Sequence, residues 1–373
     1  MIKVLTVVGT RPEIIKMSSI IRELEETTKH VLVHTGQNYS FELNDIFFNQ
    51  LGLRKPDYNL NAAGKTPSET IANVIARTDE VLAVEKPDAF VIYGDTNSCI
   101  AVIAAKKRKI PVFHIEAGNR CFDQRVPEEN NRKIVDHLSD INITLSEHAR
   151  RYLIAEGIPQ ERIFKTGSPM KEVIKKHWDG IINSNVLEQL GLQKRKFFIV
   201  SAHREENVDD KRRLKKLIKT IEDLHSEYGH KVLISTHPRT RQRLDELNLE
   251  NTNPEIVYLP PFGFFEYANL MMNALCVVSD SGTITEEAAI LGFNAVMIRE
   301  ANERPEGIDA GVLIMAGLET QSVLNAIRIT IRQGGATENL MKVPDYETET
   351  VSIKVVRIIH SYYSYVNEKI WHK

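Results

Sequence analysis

Glycine is missing from the places where nucleotide chemistry usually asks for it. No two of the 19 glycines lie two positions apart, so the GxGxxG dinucleotide turn is absent. Gly64-Lys65 lacks the glycine five positions earlier that a Walker loop needs, and HExxH does not occur. The chain is therefore expected to work without bound NAD, without P-loop chemistry and without a catalytic metal. Cysteine is nearly absent too. Cys99, Cys121 and Cys276 are far apart and form no CxxC, which argues for a reducing compartment and against structural zinc. Cys99 and Cys276 read as small hydrophobes on or near strands. No apolar run is long enough to span a bilayer. The opening MIKVLTVVGTRPE reads as a buried strand entering a turn rather than a signal peptide, so the expected location is cytoplasmic. An excess of either charge is lacking as well: 48 basic against 50 acidic residues leave a formal charge of -2. No global field steers this chain to nucleic acid or to an anionic membrane, and any anion must be held by local groups.

What is present is alternation. The runs IKVLTVV, HVLVHT, AFVIYG, PVFHIE and INITLS in the first half, and KFFIVSAH, KVLISTH, IVYLP, LCVVSD and NAVMIR in the second, each precede a helix-like stretch. Ser68 to Val84 and Asp209 to Ser226 are examples of such stretches. Uninterrupted Val/Ile runs with helical crossovers mean parallel strands covered on both faces. At 373 residues, two sets in series predict two doubly wound α/β domains. The expected division is residues 1–170 and 171–350, with the join near 167–195. A final helix over 351–373, apolar at Val351, Val355, Ile358, Ile359 and Tyr362, returns to the first domain. The basic run Lys211-Arg212-Arg213 with Lys215, Lys216 and Lys219 alternates with Leu214, Leu217, Ile218, Ile221 and Leu224, and so is the wet face of a packed helix.

Open parallel sheets bind ligands beyond the carboxyl ends of their strands. Here those ends carry Gly9-Thr10-Arg11-Pro12-Glu13 with Lys16, Gly94-Asp95-Thr96, Glu116-Ala117-Gly118, His203-Arg204-Glu205-Glu206, His237-Pro238, and Asp280-Ser281-Gly282-Thr283. Any one could be a turn or a cap; six together point to a site. In SDSGTITEEAAILG a strand meets a tight turn and a helix starting near Thr283, which exposes backbone N–H groups to an anion. Ser281 and Thr283 add hydroxyl donors, Gly282 admits a phosphate, and Glu286 or Glu287 is placed for a ribose diol. An ordinary capped helix gives the same pattern. Glu116, Arg120, Glu128, Glu129 and Arg132 form a further cluster, close to Asp95 if their strands are neighbours. Carboxylates gathered at an anion site are expected to have raised pKa values through burial and mutual repulsion. Glu129 reads as a first-turn helix residue, and Glu128 stands evenly between that and a catalyst.

GTRPEIIKM, GDTN, EAG…PEE..R, HREE, DSGTITEE and RPEG (Arg304 to Gly307) occur in the order seen in non-hydrolysing UDP-N-acetylglucosamine 2-epimerases, and the chain resembles that family over its whole length. The resemblance implies a glycosyltransferase-B-like pair of Rossmann domains with the active site in a cleft, and a homodimer. It implies a UDP-N-acetylamino sugar as substrate and no cofactor: UDP is eliminated across carbons 1 and 2 and added back after protonation on the other face. It implies that Arg11, His203, Ser281 and Gly282 hold the diphosphate, beside Thr283. Glu287 takes the ribose, and Asp95, Glu116 and Glu128 form the acid–base set at carbon 2. Lys16, Arg132, His237 and Arg304 fall at further active-site positions. The shortened EAGNRCFDQRVP segment and HTGQNY are similar to the subgroup that makes UDP-N-acetyl-L-fucosamine from its L-talo epimer for capsule and O-antigen. The loop would bring Cys121 and Phe122 to accept the methyl of a 6-deoxy sugar. A UDP-N-acetylglucosamine 2-epimerase with a variant loop is the alternative. A glycosyltransferase of the same fold and a non-catalytic nucleotide-sugar sensor fit less well.

Overall fold

Thr10 leaves the first strand in an extended conformation (φ -132°), Pro12 sits where a missing N–H costs nothing, and Glu13 accepts the Thr10 N–H at 3.3 Å, so helix Arg11–Thr27 starts at once. The computed structural model describes residues 1–37, 41–236, 238–246, 253–334 and 342–373. It falls into two units: Met1–Lys176 with Pro344–Lys373, and His177–Val343.

In the first unit β1 (Lys3–Val8), β2 (Lys29–His34), β3 (Tyr58–Asn59), β4 (Ala89–Tyr93), β5 (Val112–Ile115), β6 (Ile141–Thr144) and β7 (Ile163–Lys165) form a parallel sheet of order β3-β2-β1-β4-β5-β6-β7. The order reverses between β1 and β4, where doubly wound sheets open a crevice. Strands β4, β5 and β6 are buried throughout; β4 is an unbroken apolar run, whereas β5 and β6 also bury His114, Asn142 and Thr144. Leu5, Val7, Phe90, Ile92 and Val112 pack with Val74, Val102 and Val135 from the helices.

The second unit repeats the plan. Strands β8 (Phe197–Ser201), β9 (Lys231–Ser235), β10 (Ile256–Leu259), β11 (Cys276–Ser279), β12 (Ala295–Met297) and β13 (Ile314–Met315) run parallel in the order β10-β9-β8-β11-β12-β13, switching between β8 and β11. Helix Lys211–Tyr228 begins at Asp210, whose carboxylate accepts the Arg212 N–H at 2.7 Å, and ends at Gly229 in the left-handed region. It buries Leu214, Leu217, Ile221 and Leu224 and exposes Lys211, Arg212, Lys215 and Lys219, so its basic face is solvated.

The ten anticipated strands are all present. β3, β7 and β13 were not anticipated, because two or three residues at a sheet edge cannot display a period. The closing helix Val351–Lys369 belongs to the first unit, where Tyr362 lies 4.6 Å from Phe164 of β7, ring to ring. Cys276 lies on β11 and Cys99 in the short turn after β4, both buried; burial pushes the Cys276 thiol up to about 12. Among the described residues no helix is long and apolar enough to cross a membrane.

Candidate active site

In the first unit, register brings the chemistry together. Tyr93 at the end of β4 pairs with Ile115 of β5, so Gly94-Asp95 and Glu116 leave the sheet side by side. Glu116 is held at φ +70°, a region that residues with a Cβ rarely occupy. Its Oε2 accepts from Lys16 Nζ at 2.9 Å and from Tyr93 Oη at 2.7 Å. Lys16 comes from helix Arg11–Thr27 and is 1% exposed. Asp95 Oδ2 accepts from Arg132 Nε at 2.7 Å, and the Asp95 carbonyl accepts from Asn131 Nδ2 at 2.9 Å. The two neighbouring carboxylates thus have separate cations, one from each flanking helix. Ion pairing, rather than the repulsion expected from the sequence, is what the geometry provides.

Helix Pro127–Leu138 supplies this support from its buried face. Glu129 in the first turn accepts the N–H groups of Cys121 (3.1 Å) and Phe122 (3.2 Å) and pairs with Arg132 Nη1 at 2.9 Å. Burial pushes the Glu129 carboxyl up, but the Cys121 N–H and Arg132 outweigh it and hold it below the usual range. It is therefore the first-turn residue foreseen, with the added task of shaping the 121–122 loop. Glu128 is half-buried beside it. Phe122, at φ +57° and 67% exposed, meets Tyr152 edge to face at 5.1 Å.

The turn after β1 is already filled. Gly9 N–H (2.6 Å) and Thr10 N–H (3.3 Å) both donate to Glu13 Oε2, and Thr96 donates to Glu13 Oε1. These are the groups that would greet a phosphate in a doubly wound domain. Burial raises the Glu13 pKa to about 7 against the pull of those hydrogen bonds. Arg11 is half-buried with its guanidinium carbon 5.6 Å from the Phe47 ring centroid.

In the second unit Ser279 of β11 pairs with Ser201 of β8, which sets Asp280 beside the Ala202–Arg204 turn. Asp280 is fully buried and accepts from the backbone of His203 (3.1 Å) and Arg204 (3.0 Å) and from Asn207 Nδ2 (3.0 Å). It also lies 3.3 Å from His203 Nδ1, orienting a ring whose side chain is 39% exposed. Ser281 Oγ and Thr283 Oγ1 are 3.0 Å apart at the start of helix Ile284–Leu291. Gly282 has no steric need to be glycine, since an added Cβ would come no nearer than 3.5 Å to Glu303. Glu286 is buried on Arg304 Nη2 at 2.7 Å, which leaves half-buried Glu287 as the outward carboxylate of the pair. Gly307 does need to be glycine: a Cβ there would lie 2.0 Å from Thr285 Cγ2.

Of the residues foreseen, Lys16, Asp95, Glu116 and Arg132 are joined by ion pairs in the first unit, with Arg11 and Glu128 on the same helices. His203, Ser281, Gly282, Thr283, Glu287 and Arg304 belong to the second unit. His237 lies outside the described residues. Sequence reasoning named Glu13 only as part of the first strand end, and missed Tyr93, Asp136 and the buried pair Arg299–Glu303, 2.6 Å apart. One signal was available: in helix Pro127–Leu138 the spacing Glu129, Arg132, Asp136 puts charge on one face, and that face is buried while Ile134 is 41% exposed.

A family model described as UDP-N-acetylglucosamine 2-epimerase matches residues 22–360. The structure of UDP-N-acetylglucosamine 2-epimerase from Rickettsia bellii is 52% identical, with each chain covered in full and a TM-score of 0.93. The Methanocaldococcus jannaschii enzyme, solved with UDP-GlcNAc and UDP, is 35% identical over 96% of this chain and 99% of that one, with a TM-score of 0.89. A UDP-N-acetylglucosamine 2-epimerase of Methanococcus maripaludis is 38% identical over 88% of this chain and 91% of its own. These relatives carry the D-gluco name and favour the alternative reading of the sequence over the L-fucosamine subgroup. With two parallel sheets of seven and six strands and a glycosyltransferase-B-like fold, the chain is an isomerase belonging to the non-hydrolysing UDP-N-acetylglucosamine 2-epimerase family.

Proposed function

We propose that the protein interconverts UDP-N-acetylglucosamine and its carbon-2 epimer, UDP-N-acetylmannosamine, by elimination and re-addition of UDP. The observation that carries this reading is the pair of carboxylates on adjacent strand ends, Asp95 on Arg132 and Glu116 on Lys16 and Tyr93. The hydrogen on carbon 2 is not acidic, because no carbonyl adjoins it. A carboxylate removes it as the carbon 1–oxygen bond breaks, UDP departs with the bonding electrons, and a glycal with a carbon 1–carbon 2 double bond remains. A second acid returns a proton to the opposite face of carbon 2, and UDP re-adds at carbon 1. Asp95, Glu116 and Glu128 are the acid–base set. Arg11, His203, Ser281 and Gly282, with Thr283 beside them, hold the diphosphate; the room above Gly282 and the exposed face of His203 support this. Glu287, with Glu286 occupied by Arg304, takes the ribose. A homodimer in solution belongs to the same reading.

A second reading keeps the L-talo substrate, UDP-2-acetamido-2,6-dideoxy-L-talose. The exposed Phe122, fixed through its N–H by Glu129 and beside half-buried Cys121, offers an apolar wall to a 6-methyl group. An apolar pocket separates substrates by only about 10- to 200-fold per methylene, so kcat/KM for both sugars decides. A preference for UDP-N-acetylglucosamine supports the main reading, a preference for the L-talo sugar supports the second, and turnover of neither overturns both.

A further inference from the structure

Besides Glu129, helix Pro127–Leu138 buries a second carboxylate that the reaction does not use. Asp136 is 1% exposed, and it collects donors from both sides of Glu116. His114 Nδ1 donates to it at 2.8 Å, the Gly118 N–H at 3.2 Å and Arg120 Nη1 at 2.7 Å. The other His114 nitrogen lies 2.9 Å from the Gly94 carbonyl oxygen, so one ring links the end of β5 to the end of β4 just before Asp95. Arg120 is anchored in turn by Glu156, through Nε at 2.8 Å and Nη2 at 2.6 Å. Between these anchors the chain is contorted, with Glu116 at φ +70° and Gly118 at φ +82°. A Cβ on Gly118 would stand 2.4 Å from the Ala149 carbonyl oxygen, so the turn has no slack on that side. A non-glycine residue persists in the left-handed region only where its surroundings over-determine it.

We propose that Asp136 is the positioning residue of the Glu116 turn: one carboxylate gathers His114, Gly118 and Arg120 and thereby keeps Glu116 on Lys16 and Tyr93. Burial disfavours the Asp136 charge, but His114 and Arg120 outweigh it and hold the carboxyl below its usual range. The same contacts make the charge costly to remove, since three donors converge on it and an amide supplies a single acceptor oxygen. The consequence for rate rests on the acid–base reading of Glu116, whereas the consequence for the turn does not.

The test is Asp136→Asn in the full chain. We expect kcat on UDP-N-acetylglucosamine to fall about 10²-fold, as misplacing a reacting group by an ångström does. KM and UDP affinity should stay within about twofold, and amides 116–118 should exchange with deuterium faster while β1 and β4 keep their protection. His114→Asn, which retains an amide near Asp136 but drops the Gly94 link, should lose about tenfold in kcat with UDP affinity unchanged. If Asp136→Asn does not fold, His114→Asn decides the question alone. The double variant should be no slower than Asp136→Asn alone, because both act through one turn. Unchanged kcat in either single variant, a parallel loss of UDP affinity, or unaltered exchange at 116–118 overturns the proposal. Wild-type protein that fails to epimerise overturns the proposed function instead, and amide exchange still decides whether Asp136 holds the turn.

Discussion

Glu13 makes stability depend on pH in a direction opposite to that of an ordinary ion-paired carboxylate. Its carboxyl is buried, and its pKa is raised from the ordinary 4.5 to about 7. A raised pKa means that the folded protein binds a proton more tightly than the unfolded chain, so between these values the native state carries the extra proton. Stability from this group is fully present below about pH 4.5 and is lost as pH rises through about 7. At about 1.4 kcal/mol per pKa unit the full loss is roughly 3.5 kcal/mol. Glu13→Gln removes the titration at little structural cost. Its amide oxygen can accept the Gly9 and Thr10 N–H groups, and its NH2 can donate to Thr96, reversing the present bond. Urea unfolding of both proteins at pH 5, 6, 7 and 8 isolates the effect, because every other titrating group cancels in the difference. The variant should gain on the wild type by about 2.5 kcal/mol between pH 5 and pH 8. Parallel stability curves would refute the assignment of a near-neutral pKa to a buried Glu13.

Two further outcomes are expected of the site. Glu116→Gln and Asp95→Asn should lower kcat by ~10²–10⁴ while calorimetry finds UDP affinity largely intact; collapse of UDP binding in both would remove them from carbon 2. His203→Ala and Ser281→Ala should weaken UDP binding by roughly 1.5–3 kcal/mol each, the worth of a hydrogen bond to a charged group, and unchanged affinity would take them out of the phosphate site.

Strong periodicity made most of the fold legible. β4 is an unbroken apolar run, β1 and β5 are dominated by Val, Leu, Ile and Phe, and the basic face of helix Lys211–Tyr228 announced itself through its leucine spacing. The edge strands β3 and β13 span two residues each and give no such signal. The strand ends were legible because Asp95, Glu116, His203 and Ser281 are reactive residues where turns would suffice. Their partners were not. That Lys16 reaches Glu116 across one hundred positions, and that Arg132 reaches Asp95, depends on which helix flanks which strand. The ion pairs of Asp95 with arginine and of Glu116 with lysine were not foreseen, nor was the raised carboxyl of Glu13, which resembles a helix cap. Asp136 was not singled out for the same reason: its donors, His114 on β5 and Gly118 and Arg120 in the following loop, meet on one carboxylate only once the chain is folded.

The central claim is that this chain breaks and remakes the bond between UDP and carbon 1 while exchanging the proton on carbon 2. The direct measurement is proton NMR of UDP-N-acetylglucosamine incubated with the purified protein in deuterated water. Deuterium should enter carbon 2 of both epimers as they interconvert, with the UDP-sugar pool conserved. Epimerisation that retains the original hydrogen, or steady release of free UDP without deuterated UDP-sugar, would contradict it.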